Sequence, residues 1–406
     1  MAIVTSYQPS PLFLPPSAPL ARRFLDPRSH RRGEPPLGEA DLPVYERHTI
    51  FHDVFLGDGA LLAVGPPLVN LAARVRPIRC RILRDDGSSS PPLRHRLERH
   101  ERCTLHRFRL PPAWRDATTL RASVELATGQ RAEFDAVRQS LAPVFLQVAT
   151  LQKDNRVEWI ADWLGHLARL GVERVLLYDN DSADARELPA RLRALEGIPD
   201  VVLVHWPFPY GPGRSHYNQF AQPSQLNHAH LCFGGAEWCG HFDVDEYPVS
   251  GSGHSLVEHL EALSPRTGLL RLDSWWAPRV SGEGTAEGRA GPTAEFPTVR
   301  DFRFRERAAR GKARKYLVRT RALKSARVHN ARLRLGWWRR SPATERLGFV
   351  HYLALNNGWK GERDQAVPLD PARHVEERRI IDALPPRPAV DDAPETGSSC
   401  TGARAR

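Results

Sequence analysis

The residues with the clearest chemical potential are acidic and follow directly on the apolar run AEWCGHF. They are Asp243, Asp245 and Glu246, in the order Asp-Val-Asp-Glu. Carboxylates at positions i and i+2 of a strand end can both reach one hard cation if the chain turns there, and Mn²⁺ or Mg²⁺ prefers such oxygen ligands. A cation in this place would neutralise a diphosphate leaving group. The alternative is a solvated acidic turn, because a bare Asp-x-Asp pattern is common by chance.

The elements before this motif predict the scaffold that positions it. Three apolar runs, PVFLQVATLQ, VERVLLYD and PDVVLVHW, alternate with two helical segments, the first of which stops at Gly171. On the first helix, apolar residues share one face, namely Val157, Ile160, Ala161, Leu164 and Ala168. Strand–helix–strand–helix–strand at this spacing predicts a parallel sheet. Ligands of such sheets bind beyond the carboxyl ends of the strands.

The remaining segments predict a division of the chain. Residues 1–44 are rich in Pro and Arg and are expected to form a disordered leader. Residues 45–142 contain short alternating runs and the hairpin signature Asp58-Gly59, which indicates a small all-β module. Residues 143–361 form the α/β domain, and residues 362–406 are expected to be a disordered tail. Within 280–310 we expect a mobile loop, whose Gly-rich segment 281–292 would act as a lid.

Charge and cysteine usage narrow the class of partner. The net charge is +11, but the basic residues, of which only five are Lys, are scattered along the chain. This favours a polyanionic partner, such as a nucleotide diphosphate, an acidic glycan or anionic lipid headgroups, over nucleic acid.

The five cysteines form no CxxC pair. No run reaches the roughly 20 apolar residues of a membrane helix. We expect a cytoplasmic protein, with peripheral association at the inner face of the membrane.

Several motifs, taken in order, resemble the glycosyltransferase family 2-like and family 92-like group of GT-A enzymes over residues 145–355. The group carries a Lys-led turn after the first strand, a Glu-Trp pair on the next helix, a Gly-Val pair, a Tyr-Asp-Asn-x-Ser strand end, an Asp-x-Asp-Glu motif, a Lys followed by a His, and a late His-Tyr pair. The matching positions here are Lys153-Asp154-Asn155, Glu158-Trp159, Gly171-Val172, Tyr178–Ser182, Asp243–Glu246, Lys315 with His329, and His351-Tyr352.

The resemblance implies a fold and a set of roles. The fold would be α/β, with a GT-A domain (a Rossmann-like nucleotide-diphospho-sugar transferase) preceded by the β module, and the activity would be that of a metal-dependent, hexosyltransferase-like enzyme. Asp243 and Asp245 would bind ribose and the metal–diphosphate, and His351 would be a further ligand of Mn²⁺ or Mg²⁺. The substrate-binding residues would be Lys153, Asp179, Asn180, Gln222, Asn227, Asp243, Lys315 and Arg319. The alternatives are a satisfied core histidine for His351 and a solvated strand face for Lys315 and Arg319.

The chain departs from the group in two respects. Its first turn reads Lys-Asp-Asn, where many relatives have Lys-Asn-Glu. No general base is evident, although an inverting enzyme needs a carboxylate to deprotonate the acceptor hydroxyl. Glu246 and Asp273 are the catalytic candidates, and inversion or retention stays open.

The leading hypothesis is transfer from a UDP-, GDP- or dTDP-sugar to a glycan, lipid-linked or protein hydroxyl. Nucleotidyl or sugar-phosphate transfer would demand a Gly-rich phosphate loop, and none follows Val148. A non-catalytic carbohydrate-binding or scaffold protein with a degenerate GT-A domain is the alternative from another class. Intact Asp243 and Asp245 disfavour it.

Overall fold

A computed structural model describes residues 2–14, 46, 48–68, 75–100, 102–211, 220–250, 255–281, 297–340, 347–355 and 367–384. The fold is mixed α/β. Two strands precede the β-rich part of the chain, β1 (Val4–Tyr7) and β2 (Leu12–Phe13). The β-rich part itself contains β3 (Thr49–Phe51), β4 (Asp53–Gly57), β5 (Ala60–Gly65), β6 (Arg79–Ile82), β7 (Arg94–His100), β8 (Cys103–Arg109), β9 (Thr119–Glu125) and β10 (Arg131–Val137).

Strands and helices alternate after residue 143. The elements are β11 (Val144–Gln152), α1 (Val157–Arg169), β12 (Arg174–Asp179), α2 (Leu188–Arg193), β13 (Asp200–His205), α3 (Ala221–Cys232), β14 (Ala236–His241), β15 (Glu246–Ser250), α4 (Leu256–Glu261) and β16 (Thr267–Ala277). Strands then dominate, with β17 (Val280–Ser281), β18 (Phe304–Glu306), β19 (Arg310–Arg319), β20 (Leu323–Arg327), β21 (Asn330–Leu333), β22 (Trp338–Arg340), β23 (Leu347–Tyr352), β24 (Val367–Pro368) and β25 (His374–Glu376).

A large mixed sheet organises the described part of the chain. Its order is β1-β13-β12-β11-β14-β19-β16-β23-β15, and β22 pairs with β16. The five strands from β1 to β14 are mutually parallel, which agrees with the predicted strand–helix alternation. From β14 onward the sheet becomes largely antiparallel. The change of direction at β14 places the acidic motif where the parallel half of the sheet ends.

Each face of the central strands contributes to a different core. On β12, Val175 and Leu177 pack with the helix side chains Trp163 and Leu167, whereas Leu176 packs on the other face with side chains from β4, β5 and β8. Alternation of this kind follows from the two-residue period of a strand. The sheet β4-β5-β8-β7 therefore covers the face of the main sheet that lies opposite α1.

Helix α1 buries a stripe slightly different from the predicted one. Its most buried side chains are Trp159, Ile160, Trp163, Leu164 and Leu167, and Val157, Ala161 and Ala168 are only half-buried. The helix is followed by Gly171 at φ 87°, a left-handed conformation that glycine adopts without strain. A Cβ at this position would lie 2.6 Å from Cγ2 of Val257, so close packing excludes a side chain as well.

The predicted hairpin at Asp58-Gly59 is confirmed. Asp58 and Gly59 both have positive φ, and they connect β4 to β5 with Gly57 paired to Ala60. This is the backbone of a tight two-residue turn.

The expectation of a disordered leader is wrong for residues 2–14. Strand β1 pairs in parallel with β13 at the edge of the main sheet, and Leu12 and Leu14 are buried among the side chains of the β-rich part. The Tyr7 hydroxyl donates a hydrogen bond of 2.7 Å to Asp53. Backbone pairing and a few apolar anchors are enough to order a short segment despite its Pro content. Residue 1 and residues 15–44 of the predicted leader lie outside the described residues.

The expectation of a disordered tail is wrong for residues 367–384. Ile380 and Leu384 are buried in the same core as α1, and β25 pairs with β18. Glu377 lies 2.8 Å from Nε of Arg305 and is also paired with Arg379, so its carboxylate is neutralised despite burial. Residues 362–366 and 385–406 lie outside the described residues. So do residues 282–296, which include nearly all of the predicted lid.

Two further expectations concern thiols and membranes. Cys80, Cys103, Cys232 and Cys239 are free and buried, and Cys400 lies outside the described residues. Within the described ranges, no helix is both long and apolar enough to cross a membrane.

Candidate functional site

The acidic motif forms a closed turn between β14 and β15. The backbone N–H of Glu246 donates to the carbonyl of Asp243 at 2.9 Å. In return, the N–H of Asp243 donates to Oε2 of Glu246, also at 2.9 Å. Glu246 thus closes the turn with its own side chain, and the four residues Asp-Val-Asp-Glu fix their own geometry.

A buried lysine from the neighbouring strand β19 neutralises part of this turn. Nζ of Lys315 lies 2.8 Å from Oε2 of Glu246 and 3.2 Å from Oδ2 of Asp243. Burial alone would lower the pKa of Lys315, but the two carboxylates reverse that effect and raise it. Burial raises the pKa of Glu246 to about 7, and Lys315 acts against this rise. Lys315 is therefore a fixed cation inside the site, and a solvated strand face is excluded for it.

Asp243 also faces two polar side chains. Nε2 of Gln222, on α3, lies 3.4 Å from Oδ1 of Asp243 and 3.3 Å from Nε2 of His241. Nδ1 of His241 donates to the carbonyl of Ala149 at 2.9 Å. Burial, with a smaller effect of Lys315, lowers the pKa of His241 to about 3, so this imidazole is neutral. His241 was not predicted from the sequence, although it lies two residues before Asp243 at a strand end, where such side chains share a face.

Asp245 points toward a different partner, His351 of β23. Its Oδ2 lies 3.2 Å from Nε2 of His351, and its carbonyl accepts a hydrogen bond from the N–H of Tyr352 at 2.9 Å. The antiparallel pairing of β15 with β23 places His351 opposite Glu246. This pairing brings His351 next to Asp245, although the two residues are far apart in sequence. Burial would lower the pKa of His351, but the charge of Asp245 raises it.

Asp245 and His351 are two side chains that could together hold a divalent metal. The two side chains are 18% and 15% exposed, so they stand at an opening. Nδ1 of His351 is buried and has no hydrogen-bond partner among the described residues. A carboxylate and an imidazole together suit Mn²⁺. The donor set therefore fits a cation that a bound ligand would help to coordinate.

A second group of metal-type ligands lies elsewhere. Among the described residues, ligand atoms of Asp53, His228 and Cys232 all lie within 4.8 Å of one another, and the three side chains are buried. Oδ2 of Asp53 already lies 2.7 Å from Nε2 of His228, and Nδ1 of His228 lies 2.7 Å from the Tyr178 hydroxyl. These hydrogen bonds join β4, α3 and β12. The group is satisfied without an ion and acts as a structural link.

The predicted nucleotide-pocket residues lie together at the carboxyl ends of β11 and β12, but their side chains shape the loops. Asp179 accepts from the Gln152 amide and the backbone N–H of Ser182, and burial raises its pKa. Asn180 donates to the carbonyls of Trp206 and Phe208, each at 2.7 Å.

Lys153 belongs to the same loop arrangement. Its Nζ donates to the carbonyls of Asn180 at 3.1 Å and of Asp181 at 3.0 Å. Gln152, which donates to Asp179 and to the Ser182 hydroxyl at 3.1 Å, was not identified from the sequence. A terminal strand glutamine gives no distinctive signal. These residues lie at the same edge of the sheet as the acidic turn, because β12, β11 and β14 are adjacent parallel strands.

Two of the residues predicted to bind substrate have other roles. Asn227 faces the protein interior, and Arg319 lies away from the acidic turn. Both ends of the Asn227 amide bond to the backbone of Ala326, at 3.0 Å each, and dock α3 on β20. Arg319 pairs in register with Trp238, near the start of β14, and its guanidinium lies 4.5 Å from the Trp238 ring centroid. It also pairs with Glu237. Arg319 lies four positions after Lys315 on β19, a distance of roughly 13 Å along the strand.

The second catalytic candidate, Asp273, lies on β16. Its Oδ1 lies 2.7 Å from Nε of Arg314, and its side chain is 24% exposed. His329, the histidine expected after Lys315, contacts the carbonyl of Arg314 through Nδ1 at 3.1 Å. Burial, reinforced by Lys315, lowers the pKa of His329.

Comparison with known proteins gives one family match. The model of glycosyltransferase family 92 matches residues 148–360, a range that contains the acidic turn, Lys315 and His351. No curated protein sequence matches the chain. Among 64 matching chains of solved structures is the WbbM bifunctional glycosyltransferase in its apo form, with 14% identity and a TM-score of 0.24. The match covers 37% of this chain and 27% of that one. At this TM-score the likeness carries no information about the fold.

Proposed function

This chain belongs to glycosyltransferase family 92, and from that premise we propose that it transfers a sugar from a nucleotide-diphosphate donor to a hydroxyl group of a glycan, lipid-linked or protein acceptor. The observation that carries the proposal is the acidic turn at the carboxyl end of β14. There Asp245 lies beside His351 and Asp243 lies beside Lys315. Ligands of parallel sheets bind at this edge.

In this proposal Asp245 and His351 hold Mn²⁺ or Mg²⁺. The cation, when bound, neutralises the charge that develops on the diphosphate leaving group. Two contacts hold Asp245 in position. Its carboxylate lies beside His351, and its backbone carbonyl accepts a hydrogen bond from the N–H of Tyr352. The chain thus presents one carboxylate and one imidazole toward the donor.

Asp243 binds the donor's sugar hydroxyls in this proposal. Its side chain is 28% exposed and is oriented by Lys315 on one oxygen and Gln222 on the other. Lys315 is only 1% exposed, so it acts as a fixed positive charge behind the carboxylates. Glu246 is a positioning residue, because its Oε2 accepts from both Lys315 and the Asp243 N–H.

Of the two candidate bases, Asp273 is the one with solvent access. Glu246 is 5% exposed and engaged within the turn, whereas Asp273 is 24% exposed. Asp273 pairs in register with Gly348, three positions before His351 on β23, so the side chains of Asp273 and His351 point to opposite faces of the sheet. We therefore assign neither carboxylate the role of general base in this proposal.

The domain division follows from the same premise. Residues 143–361 would form the GT-A domain, and residues 45–142 the β module that supports it. The packing of β4, β5 and β8 on the main sheet, opposite α1, supports a bracing role for the module. A rigid brace behind the strands would hold the loops at their carboxyl ends in place.

A thermal-shift screen tests donor binding directly. UDP-, GDP- and dTDP-sugars are each added with and without Mn²⁺, because a ligand of the folded state stabilises it by mass action. One nucleotide class should raise the Tm in a Mn²⁺-dependent manner, and Asp245→Asn should abolish that dependence. Asp85→Asn, in an exposed loop of the β-rich part, is the matched control. Absence of any Mn²⁺-dependent shift would contradict the proposal.

A further inference from the structure

Arginines on β7 and β8 face one another in pairs. Arg94 lies opposite Arg109, and Arg96 lies opposite Arg107. Residues directly opposite on adjacent strands point to the same face, and like charges in that arrangement are destabilising. These four side chains, together with Arg115, line a cavity of about 600 Å³. Four of these arginines, all except Arg107, are exposed to solvent, which screens part of their mutual repulsion, and a bound anion would offset the remainder.

The protein supplies few counter-charges here. Arg107 lies 3.9 Å from Asp58 and 3.8 Å from Glu98. Glu98 also forms an ion pair with Arg96, at 3.6 Å. In the part of the chain that the structure describes, Arg94 and Arg109 have no acidic partner. Two carboxylates therefore face five guanidinium groups, and the cavity keeps a strong positive potential.

The positive lining continues beyond this cavity. An adjoining cavity of about 740 Å³ shares Asp58 and Arg107 with it, and adds Arg321, Lys324 and Arg334. A third, of about 660 Å³, shares Arg321 with the second, but its other charged lining residues are Glu173 and Glu237, so the positive lining ends before it. The first two cavities form one basic groove, which passes from the β-rich part of the chain to the start of β14. The acidic turn follows the other end of β14, roughly 20 Å away.

We propose that the basic groove binds a linear acidic glycan, through carboxylate, sulfate or phosphate groups spaced along the chain. A guanidinium group can donate two parallel hydrogen bonds to a carboxylate, sulfate or phosphate group. Several arginines along one groove suit a polymer with repeated anionic groups better than one small anion. The choice of a glycan as the polyanion rests on the proposed sugar transfer. The groove would hold the polymer at a distance from the reacting hydroxyl.

The lining disfavours single-stranded nucleic acid. Proteins that bind single strands stack bases on aromatic side chains within a basic groove. Among the described residues, the first two cavities are lined by no Phe, Tyr or Trp. The groove therefore offers charge without a stacking platform.

The test is binding of a polygalacturonate oligomer to the full chain, measured by calorimetry at low and high salt without nucleotide sugar or Mn²⁺. We expect salt-sensitive binding, and at least about tenfold weaker affinity for the double variant R94S/R109S, which removes two of the paired charges. The matched control R79S/R121S removes two exposed arginines of the three-stranded sheet β10-β9-β6 and should change affinity less than about twofold. Neutral dextran should not bind.

Several results would overturn the inference. They are no binding, equal loss in the variant and its control, or tighter binding of a single-stranded DNA oligomer that competes for the same arginines. Arg115→Ser gives a second, independent variant of the cavity, and circular dichroism checks that each variant is folded. Asp245→Asn should bind the oligomer as the unmodified chain does, so a failure of sugar transfer and a failure of groove binding are distinguishable.

Discussion

The ammonium nitrogen of Lys315 lies 2.8 Å from the Glu246 carboxylate, inside the protein and directly behind the acidic turn. This contact ties β19 to the start of β15 and leaves the side chains of Asp243 and Asp245 partly exposed, at 28% and 18%. It gives the turn a rigid support that does not depend on a bound ligand. The first prediction follows from it.

Lys315→Met should destabilise the protein by about 3 kcal/mol, because it leaves the buried Glu246 carboxylate without its cation. Urea unfolding measures the change. Lys324→Met, at an exposed position, should have an effect within about 0.5 kcal/mol. The double variant Lys315→Met/Glu246→Gln should recover part of the loss, since the two residues are coupled. Strict additivity of the two single effects would rule out the contact as described.

Tyr7→Phe should lower the free energy of unfolding by about 1 kcal/mol, through loss of the hydroxyl that donates to Asp53. Ser6→Ala removes a hydroxyl from an exposed position of the same strand and should have little effect. If both variants behave alike, or Tyr7→Phe is neutral, then β1 does not anchor the N-terminal segment in the way described here.

Gly348→Ala should destabilise the protein by about 2 kcal/mol, since the added Cβ would lie 2.8 Å from the Asp273 carbonyl oxygen and 2.5 Å from the Trp275 ring. Gly165→Ala is the contrasting variant. It lies within α1, where an added Cβ meets nothing within 4 Å, and should stabilise by about 1 kcal/mol. Thermal denaturation measures the change in stability of each variant. A Gly348→Ala variant as stable as the unmodified protein would contradict the packing of β16 on β23.

The acid sensitivity of the fold should depend on His166. This buried imidazole donates from Nε2 to the Pro248 carbonyl at 2.7 Å, and burial lowers its pKa from 6.5 to about 4. Between these values the unfolded chain binds the proton and the folded chain does not, so stability falls as the pH decreases from 6.5 toward 4.

His166→Gln should therefore reduce the slope of unfolding free energy against pH by up to about 1.4 kcal/mol per unit between pH 4.5 and 6. Above pH 7.5, where the group is neutral in both states, the slopes of the two proteins should coincide. Urea titrations at a series of pH values give the comparison. Identical slopes throughout would show that His166 does not contribute to acid sensitivity.

Much of the scaffold follows from the sequence alone. The apolar runs that form β11, β12 and β13 are separated by helical segments with clear ends. Continuous apolar runs of this kind are typical of parallel strands that are buried on both faces. The acidic turn was recognisable because Asp243 and Asp245 follow an apolar strand. The edge strand β1 was missed, since four residues in a Pro-rich context carry too little pattern to indicate pairing.

The roles of individual side chains were harder to predict. Whether Asn180 and Asn227 face a ligand or a backbone carbonyl depends on loops and strands that meet only in the folded chain. Arg319 shares a strand face with Lys315, and only the register shows that it lies beside Trp238, far from the turn. The opposed arginines of β7 and β8 likewise emerge from strand pairing.

The most direct test of the central claim is release of nucleotide diphosphate from a UDP-, GDP- or dTDP-sugar in the presence of Mn²⁺. We expect release that stops when Mn²⁺ is chelated and that falls by at least about 100-fold in Asp245→Asn, whereas Asp85→Asn should release nucleotide diphosphate at the unmodified rate. Release that persists without a divalent cation, or that Asp245→Asn leaves intact, would contradict the assignment of Asp243–Val244–Asp245 as the donor site.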